Sequence, residues 1–253
     1  MLTDAHCHPV DLMRVFPESE TERIRLGVLA AASACTPDEF LYHEKLPQVF
    51  PCFGIHPQYI SVRSEMKASC DELLAFLHDS ASTGRISAVG ECGFDLYSDE
   101  FKETEKEQED VFSRHLEIAV KYELPVVLHV RRAMHKIFAF AKTLAKCKAV
   151  VFHSWPGTCD EAESLLRHGI NVYFSFGNII MLNHKRAIKS CALLPAERLL
   201  TETDAPYAPR RGENFSSWKD LPLILETTAA LRNTNAKDLE TQIENNFRKA
   251  FDL

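Results

Sequence analysis

Glycine and long apolar runs are both scarce in this sequence. Only 9 of its 253 residues are glycine, and no glycine-rich phosphate-binding loop is present. The longest apolar runs, such as Leu26–Ala32, fall far short of the roughly 20 residues that cross a bilayer, so we expect a soluble protein. The N-terminal residues lack the basic, apolar and small-residue regions of a secretory signal, which predicts a cytoplasmic location.

Paired cysteines and an excess of positive charge are also missing. The eight cysteines are spread over the whole length with no C-x-x-C pair, so we expect reduced and mostly buried thiols rather than a disulfide framework. With 29 Lys and Arg against 36 Asp and Glu, the formal net charge is −7. This balance disfavours a wide surface for duplex nucleic acid, although a small local one remains compatible with it.

Short apolar runs recur along the chain at regular intervals. Continuous apolar runs of this length are typical of strands that are buried on both faces in a parallel sheet covered by helices. Eight runs are predicted as strands: Leu2–His6, Leu26–Ala34, Val49–Ile55, Ile86–Glu91, Leu124–His129, Ala149–His153, Ile170–Phe176 and Arg198–Thr203.

Helix-length segments separate these runs. Glu103–Tyr122 begins with acidic residues and then repeats apolar residues at helical spacing, and Ser69–His78 and Leu221–Leu231 are also predicted helices. Eight units in 253 residues give about 32 residues each, which is typical of an eight-fold parallel barrel. We therefore predict an α/β fold, a TIM (β/α)8 barrel, with residues 1–253 as a single domain. A doubly wound open sheet is the alternative.

Residues that bind metals stand at the ends of five predicted strands. The alternation of side chains along a strand places His6 and His8 on the same side of the chain. In a barrel, the carboxyl ends of all strands converge on one mouth, where catalytic groups lie. A single histidine at a strand end is more often a packing residue. The prediction of a metal site therefore depends on the number of candidate ligands that converge on the mouth. The six candidate ligands are His6, His8, Glu91, His129, His153 and Asp204.

Six motifs, in order along the chain, resemble those of TatD-like metal-dependent hydrolases. They are DAHCH at the N-terminus, FGIHP at Phe53–Pro57, GECGFD at Gly90–Asp95, LHVRRA at Leu128–Ala133, FHSWPG at Phe152–Gly157 and TETDAPY at Thr201–Tyr207. The chain departs from the family pattern at three places: Pro9-Val10 replace Leu-Asp, Gln58 replaces a second histidine, and Trp155-Pro156-Gly157 replace Phe-Ser-Gly. None of these changes removes a candidate ligand.

The resemblance implies a TIM barrel of the amidohydrolase superfamily with two divalent cations. By this resemblance, His6, His8, Glu91 and Asp204 bind one ion, while Glu91, His129 and His153 bind the other, so that Glu91 bridges them. Ligands of these types accept Zn²⁺, Mn²⁺ or Mg²⁺ and do not choose among them. The implied activity is hydrolysis of DNA phosphodiesters by an activated water. Asp204 and Glu91 are the predicted catalytic residues, with Asp204 as proton acceptor.

The substrate-binding residues are predicted from charge and aromatic character near the mouth. Arginines can bind phosphate, and an aromatic ring can stack on an unpaired base. The main candidates are His56, Arg131, Trp155 and Tyr207, with Arg132, Arg210, Arg211 and Phe94 as further candidates. The predicted partner is single-stranded or frayed DNA, and neither a membrane nor an obligate protein partner is inferred.

Two other functions remain open from the sequence. A small-molecule amidohydrolase, lactonase or deaminase could use the same barrel, although many such enzymes bridge their metals with a carboxylated lysine rather than a glutamate such as Glu91. A non-catalytic binding protein is the other alternative. It is disfavoured because ionisable groups that converge on one mouth are costly to leave without a function.

Overall fold

The structure is a computed structural model that describes residues 1–62 and 68–253. At its centre, eight parallel strands pair in sequence order from β1 to β8. Their bounds are β1 Thr3–Cys7, β2 Leu29–Ala34, β3 Val49–Phe53, β4 Ala88–Asp95, β5 Val126–Arg131, β6 Val150–Phe152, β7 Val172–Phe176 and β8 Leu199–Thr201.

Hydrogen bonds between the first and last strands bring the sheet close to a closed barrel. The Thr201 hydroxyl donates to the Thr3 carbonyl oxygen at 2.9 Å. Just beyond β8, the Thr203 backbone N–H donates to Asp4 Oδ1 at 2.9 Å, and the Thr203 hydroxyl donates to Asp4 Oδ2 at 2.6 Å. The predicted TIM barrel is therefore confirmed. The alternative is wrong, because a doubly wound sheet places β1 in its interior instead of beside the last strand.

Helices cover the outside of the barrel, and three of them begin with a reciprocal capping box, at Thr36, Ser69 and Thr158. The α-helices are α1 Pro9–Val15, α2 Ser19–Leu26, α3 Pro37–His43, α4 Pro57–Ser61, α5 Cys70–Ser82, α6 Asp99–Glu103, α7 Glu105–Lys121, α8 Met134–Ala139, α9 Ala141–Leu144, α10 Cys159–Arg167, α11 Lys185–Leu193, α12 Asp220–Arg232 and α13 Ala236–Ala250, with short 3₁₀ turns at Asn178–Met181 and Ala196–Arg198. In the described part of the chain, none of them is long and apolar enough to cross a bilayer.

The eight predicted strands and three predicted helices all occur, with shifted ends. One of the two largest shifts is in β4, which ends four residues later than predicted, at Asp95, because Cys92–Asp95 pair with β5. Gly93 permits this close pairing: its φ is +135°, and a Cβ at this position would collide with the carbonyl oxygen of His129. The extension matters for function because it carries Asp95 to the mouth of the barrel.

The alternation of side chains along the strands separates two apolar layers. On β5, Val126 and Leu128 pack into the layer shared with the helices, whereas Val127 packs with Val151 and Leu200 of other strands. His129 has the same parity as Val127, so it follows the second group towards the mouth. All eight cysteines are free, and five of them are buried, as predicted.

Candidate metal centre

The carboxylate of Glu91 lies at the centre of the cluster of candidate ligands. Its Oε2 atom is 3.1 Å from His6 Nε2 and 3.6 Å from His8 Nε2. Its Oε1 atom is 2.9 Å from His129 Nδ1 and 3.1 Å from His153 Nε2. The two oxygens of one buried carboxylate therefore face two different sets of imidazoles, which is the arrangement that a bridging ligand requires.

Asp204 lies beside His6 and His8, on the side of the cluster that faces Glu91 Oε2. Its Oδ1 atom is 3.5 Å from His6 Nε2 and 3.7 Å from His8 Nε2. Its position is fixed by the backbone, since the Asp204 N–H donates to the His6 carbonyl oxygen at 2.9 Å and the His8 N–H donates to the Ala205 carbonyl oxygen at 2.8 Å. The segment after β8 is thus joined to the end of β1 at the cluster. All six candidate ligands meet at this one mouth.

The imidazole nitrogens approach one another in a way that fits shared cations. His6 Nε2 and His8 Nε2 are 3.1 Å apart, and His129 Nδ1 and His153 Nε2 are 3.2 Å apart. Two neutral imidazoles can satisfy such a contact only when one nitrogen donates and the other accepts. Imidazole nitrogens and carboxylate oxygens are ordinary ligands of borderline divalent cations. The donor set therefore fits divalent metal ions.

Several triads of potential ligand atoms can be drawn in the cluster, each with its atoms within 4.8 Å of one another; Glu91 Oε1, His129 Nδ1 and His153 Nε2 form one of them. Three others are His6, His8 and Glu91; His6, His153 and Asp204; and His56, Glu91 and His129. The last of these triads includes His56, which the sequence suggested as a substrate-binding residue. Its Nε2 atom lies 3.2 Å from Glu91 Oε1 and 3.2 Å from His129 Nδ1, so it belongs to the cluster by position.

The electrostatic environment keeps Glu91 ionised. Burial opposes ionisation, but His6, His56 and His153 around the carboxylate hold the pKa of Glu91 well below its usual range. Burial lowers the pKa of His6 and His8, which favours neutral imidazoles with a free lone pair. Burial also raises the pKa of Asp204 to about 6. Burial also acts to lower the pKa of His129 and His153, but hydrogen bonds and charge from Asp95, Glu91 and Glu202 outweigh it and raise the pKa of both rings. The protein alone therefore favours the neutral, metal-binding imidazole at His6 and His8, whereas a cation on the other side would displace protons from His129 and His153.

Two further buried carboxylates contact the ring nitrogens of His129 and His153 that face away from Glu91. Asp95 Oδ2 is 3.2 Å from His129 Nε2 and accepts a hydrogen bond from Gln58 Nε2 at 2.7 Å. Glu202 Oε1 is 3.6 Å from His153 Nδ1 and accepts from the Ser154 N–H at 2.6 Å. Asp95 and Glu202 lie in the motifs GECGFD and TETDAPY, but neither was among the candidate site residues. The available signal was an acidic residue within or next to an apolar strand.

A cavity of about 440 Å³ opens above the cluster. Besides Glu91, Asp204 and three of the candidate-ligand histidines, its lining residues include Asp11, Cys35, Gln58, Tyr59, Phe101, Arg131 and Tyr207. Arg131 and Tyr207 thus lie where the sequence predicted. Tyr207 is 51% exposed, and its hydroxyl donates to Asp11 Oδ2 at 2.9 Å.

Trp155 does not line this cavity, so its prediction as a stacking residue is wrong. The side chain is fully buried and packs edge-on against Phe152 and Phe174, with ring centroids 5.0 and 4.6 Å away. The reason is the turn after β6, where Ser154 adopts a positive φ of 45° and the following indole enters the core. Phe94 is buried in the same way.

Arg210 and Arg211, in the loop after β8, do not line the cavity as Arg131 does. Arg210 Nε donates to Asp220 Oδ1 at 2.8 Å, and its Nη2 is 3.4 Å from Glu213 Oε1. This arginine is already neutralised by two carboxylates, which disfavours it as a phosphate ligand. Arg211 is exposed and does not line the cavity.

Comparison with known proteins gives consistent matches over nearly the whole chain. The family model described as "TatD related DNase" matches residues 3–252. A protein of Erwinia tasmaniensis named 3'-5' ssDNA/RNA exonuclease TatD is 33% identical over 207 residues, which cover 79% of this chain and 77% of the relative. A protein of the same name from Pantoea vagans is 31% identical over 230 residues, covering 85% and 84%.

A solved structure agrees in fold. The crystal structure of YJJV, a TatD homologue from Escherichia coli, superimposes with a TM-score of 0.86 at 24% identity, and the match covers 100% of this chain and 98% of that one. The resemblance seen in the sequence motifs is thus confirmed by the family model and by relatives above 30% identity. This chain belongs to the family of TatD related DNases.

Proposed function

We propose that this chain is a metal-dependent hydrolase that cleaves phosphodiester bonds at the ends of single-stranded or frayed DNA. The observation that carries the proposal is the position of Glu91, whose two carboxylate oxygens face separate sets of imidazoles at the open end of the barrel. The family supports the same activity, since its model is described as a DNase and the relatives from Erwinia and Pantoea are named as single-strand exonucleases.

Two divalent cations are proposed for the cluster, with Zn²⁺, Mn²⁺ and Mg²⁺ as the candidates. His6, His8, Glu91 and Asp204 would hold one ion, and Glu91, His129 and His153 would hold the other. His56 is an additional candidate on the second side, because its Nε2 atom is 3.2 Å from Glu91 Oε1. Bound ions would polarise a phosphoryl oxygen and lower the pKa of a water, which is chemistry that the side chains alone cannot supply.

The residues around the ions divide the remaining work. Asp204 lines the cavity, where a carboxylate can accept the proton of an attacking water. Arg131 can bind a phosphate oxygen through its guanidinium, and exposed Tyr207 can contact the terminal sugar or base. The cavity is lined by no lysine within the described ranges, so nothing in it favours the small-molecule alternative with a carboxylated lysine bridge.

The test is hydrolysis of a single-stranded oligodeoxynucleotide labelled at one end. We expect stepwise shortening that stops after chelation and resumes when Mn²⁺, Mg²⁺ or Zn²⁺ is added. Glu91→Gln should lose activity together with bound metal, whereas Asp204→Asn should lose turnover by a larger factor than metal. Arg167→Gln, an exposed change outside the cavity, serves as the control. Metal-loaded protein that leaves the oligonucleotide intact would contradict the proposal.

A further inference from the structure

Two arginines and an exposed tyrosine form a cluster on one side of the mouth. The guanidinium carbon of Arg131 lies 3.7 Å from the centre of the Tyr97 ring, and that of Arg132 lies 4.6 Å from it. Tyr97 is 46% exposed, although large aromatic rings are usually more buried. Both distances are within the range of cation–π interactions. The tyrosine ring therefore holds two positive charges at the surface, on the same side of the barrel as the candidate metal ligands.

The geometry of β4 and β5 explains why these residues meet. Asp95 pairs with Arg131 across the two strands, so Tyr97 and Arg132 follow in adjacent loops. Arg131 is two residues beyond His129 on β5 and therefore shares its side of the strand. It also lines the cavity that contains Glu91 and Asp204. The cluster is thus continuous with the proposed active site rather than separate from it.

The charges of this cluster are incompletely neutralised. Among the described residues, the nearest carboxylate to Arg131 is that of Asp95, at 4.0 Å, and the same Asp95 oxygen already interacts with His129 and Gln58. Within residues 1–62 and 68–253, no carboxylate forms an ion pair with Arg132. By contrast, the neighbouring Lys136 is paired with Glu105 and Glu109. In the described part of the chain, these adjacent cations have one carboxylate between them, at the far limit of an ion pair with Arg131, and in a protein of net charge −7 this indicates a site for an anion.

We propose that Tyr97, Arg131 and Arg132 bind a phosphodiester group of the substrate strand. This group is the neighbour of the phosphodiester that lies at the candidate metal ligands around Glu91. The three residues are here called the Tyr97 subsite. This inference rests on the proposed function, because the ligand is a single nucleic acid strand. Tyr97 acts as the support that places both guanidiniums, which then contact phosphate oxygens by charge-assisted hydrogen bonds. The subsite reads no base, so single-stranded DNA and RNA should both bind.

The proposal predicts that the Tyr97 subsite matters only for substrates with more than one phosphodiester. Arg132→Gln should lower kcat/KM for a hexadeoxythymidylate about tenfold, as expected for loss of one charge-assisted contact. The same variant should leave hydrolysis of bis(p-nitrophenyl) phosphate, which has a single phosphodiester, unchanged. Tyr97→Ala should resemble Arg132→Gln. Tyr97→Phe should keep the wild-type ratio of kcat/KM for hexadeoxythymidylate to kcat/KM for bis(p-nitrophenyl) phosphate, because the phenylalanine ring still supports both guanidiniums.

Binding in the presence of a chelator tests the subsite independently of turnover. We would measure fluorescence anisotropy of labelled hexadeoxythymidylate and hexauridylate at several salt concentrations, with wild type, Arg132→Gln and the control Arg167→Gln, whose side chain is 68% exposed at the end of α10. Loss of one phosphate contact should reduce the slope of log affinity against log salt by about 0.7. Arg167→Gln should leave the slope unchanged.

Three results would overturn the subsite. They are equal slopes for wild type and Arg132→Gln, equal losses on the hexanucleotide and on bis(p-nitrophenyl) phosphate, and no binding of either labelled strand by wild type. Failure of the proposed function has a different signature, since wild type would then bind the strands without cleaving either the oligonucleotide or bis(p-nitrophenyl) phosphate.

Discussion

Asp95 Oδ2 lies 3.2 Å from His129 Nε2, while Nδ1 of the same imidazole lies 2.9 Å from Glu91 Oε1. The ring is held between two carboxylates, one in the ligand cluster and one behind it. Carboxylates in this position orient metal-binding histidines and increase their basicity. Gln58 stands where the family usually has a histidine, and its side-chain amide donates to Asp95 at 2.7 Å. Because the amide is neutral, Asp95 keeps its negative charge.

Asp95→Asn should therefore weaken metal binding on the His129 side of the cluster. The expected loss is about 10- to 100-fold in affinity for one ion, with little change for the other. Calorimetric titration of metal-free protein with Zn²⁺ or Mn²⁺ measures both events. Asp160→Asn, an exposed change in the first turn of α10, should bind like wild type. Unchanged affinities in Asp95→Asn would remove Asp95 from the metal centre.

Trp155→Phe should affect folding rather than substrate binding. The indole is fully buried against Phe152 and Phe174, and its partial loss should reduce the free energy of unfolding by about 1 to 3 kcal/mol. KM for an oligonucleotide should stay within about twofold, since no contact with substrate is removed. Urea denaturation and steady-state kinetics give the two values.

Tyr207→Ala is the matched comparison for that experiment. Its side chain is 51% exposed in the mouth, so we expect a higher KM and a change in unfolding free energy within about 0.5 kcal/mol. A raised KM in Trp155→Phe with unaltered stability would restore the stacking role that the buried position argues against.

The contrast between these two aromatic residues shows what the sequence could and could not predict. The strands, and the meeting of the candidate ligands at their ends, were predictable because apolar runs and two-residue alternation determine which side chains face the mouth. The direction of Trp155 depends on the positive φ of Ser154, which no local pattern indicated. Asp95 and Glu202 were missed because a carboxylate near a strand end looks the same whether it binds a metal, orients a ligand or is solvated.

Acid should destabilise the fold through the buried His115. Its Nε2 accepts from the Ile55 N–H at 2.9 Å, and its Nδ1 lies 2.7 Å from the Val111 carbonyl oxygen, so the neutral ring joins β3 and its following loop to α7. Burial lowers the pKa of His115 to about 4, whereas an unfolded chain has a value near 6.5. Between these values the unfolded state binds more protons, so stability falls as pH decreases.

This shift corresponds to about 3 kcal/mol that is present above pH 6.5 and lost progressively towards pH 4. The free energy of unfolding from urea denaturation, measured at several pH values, should fall less steeply in His115→Gln than in wild type. His135→Gln, at an exposed position, should follow the wild-type curve. Parallel curves for His115→Gln and wild type would show that His115 does not contribute to the acid sensitivity.

The most direct test of the metal centre is anomalous scattering from crystals grown with Mn²⁺ or Zn²⁺. We expect two peaks, one on each side of the Glu91 carboxylate, with His6, His8 and Asp204 near one and His129 and His153 near the other. Glu91→Gln should lose at least one of them. No peak beside Glu91 in the wild-type protein, or ions bound only elsewhere on the barrel, would contradict the account.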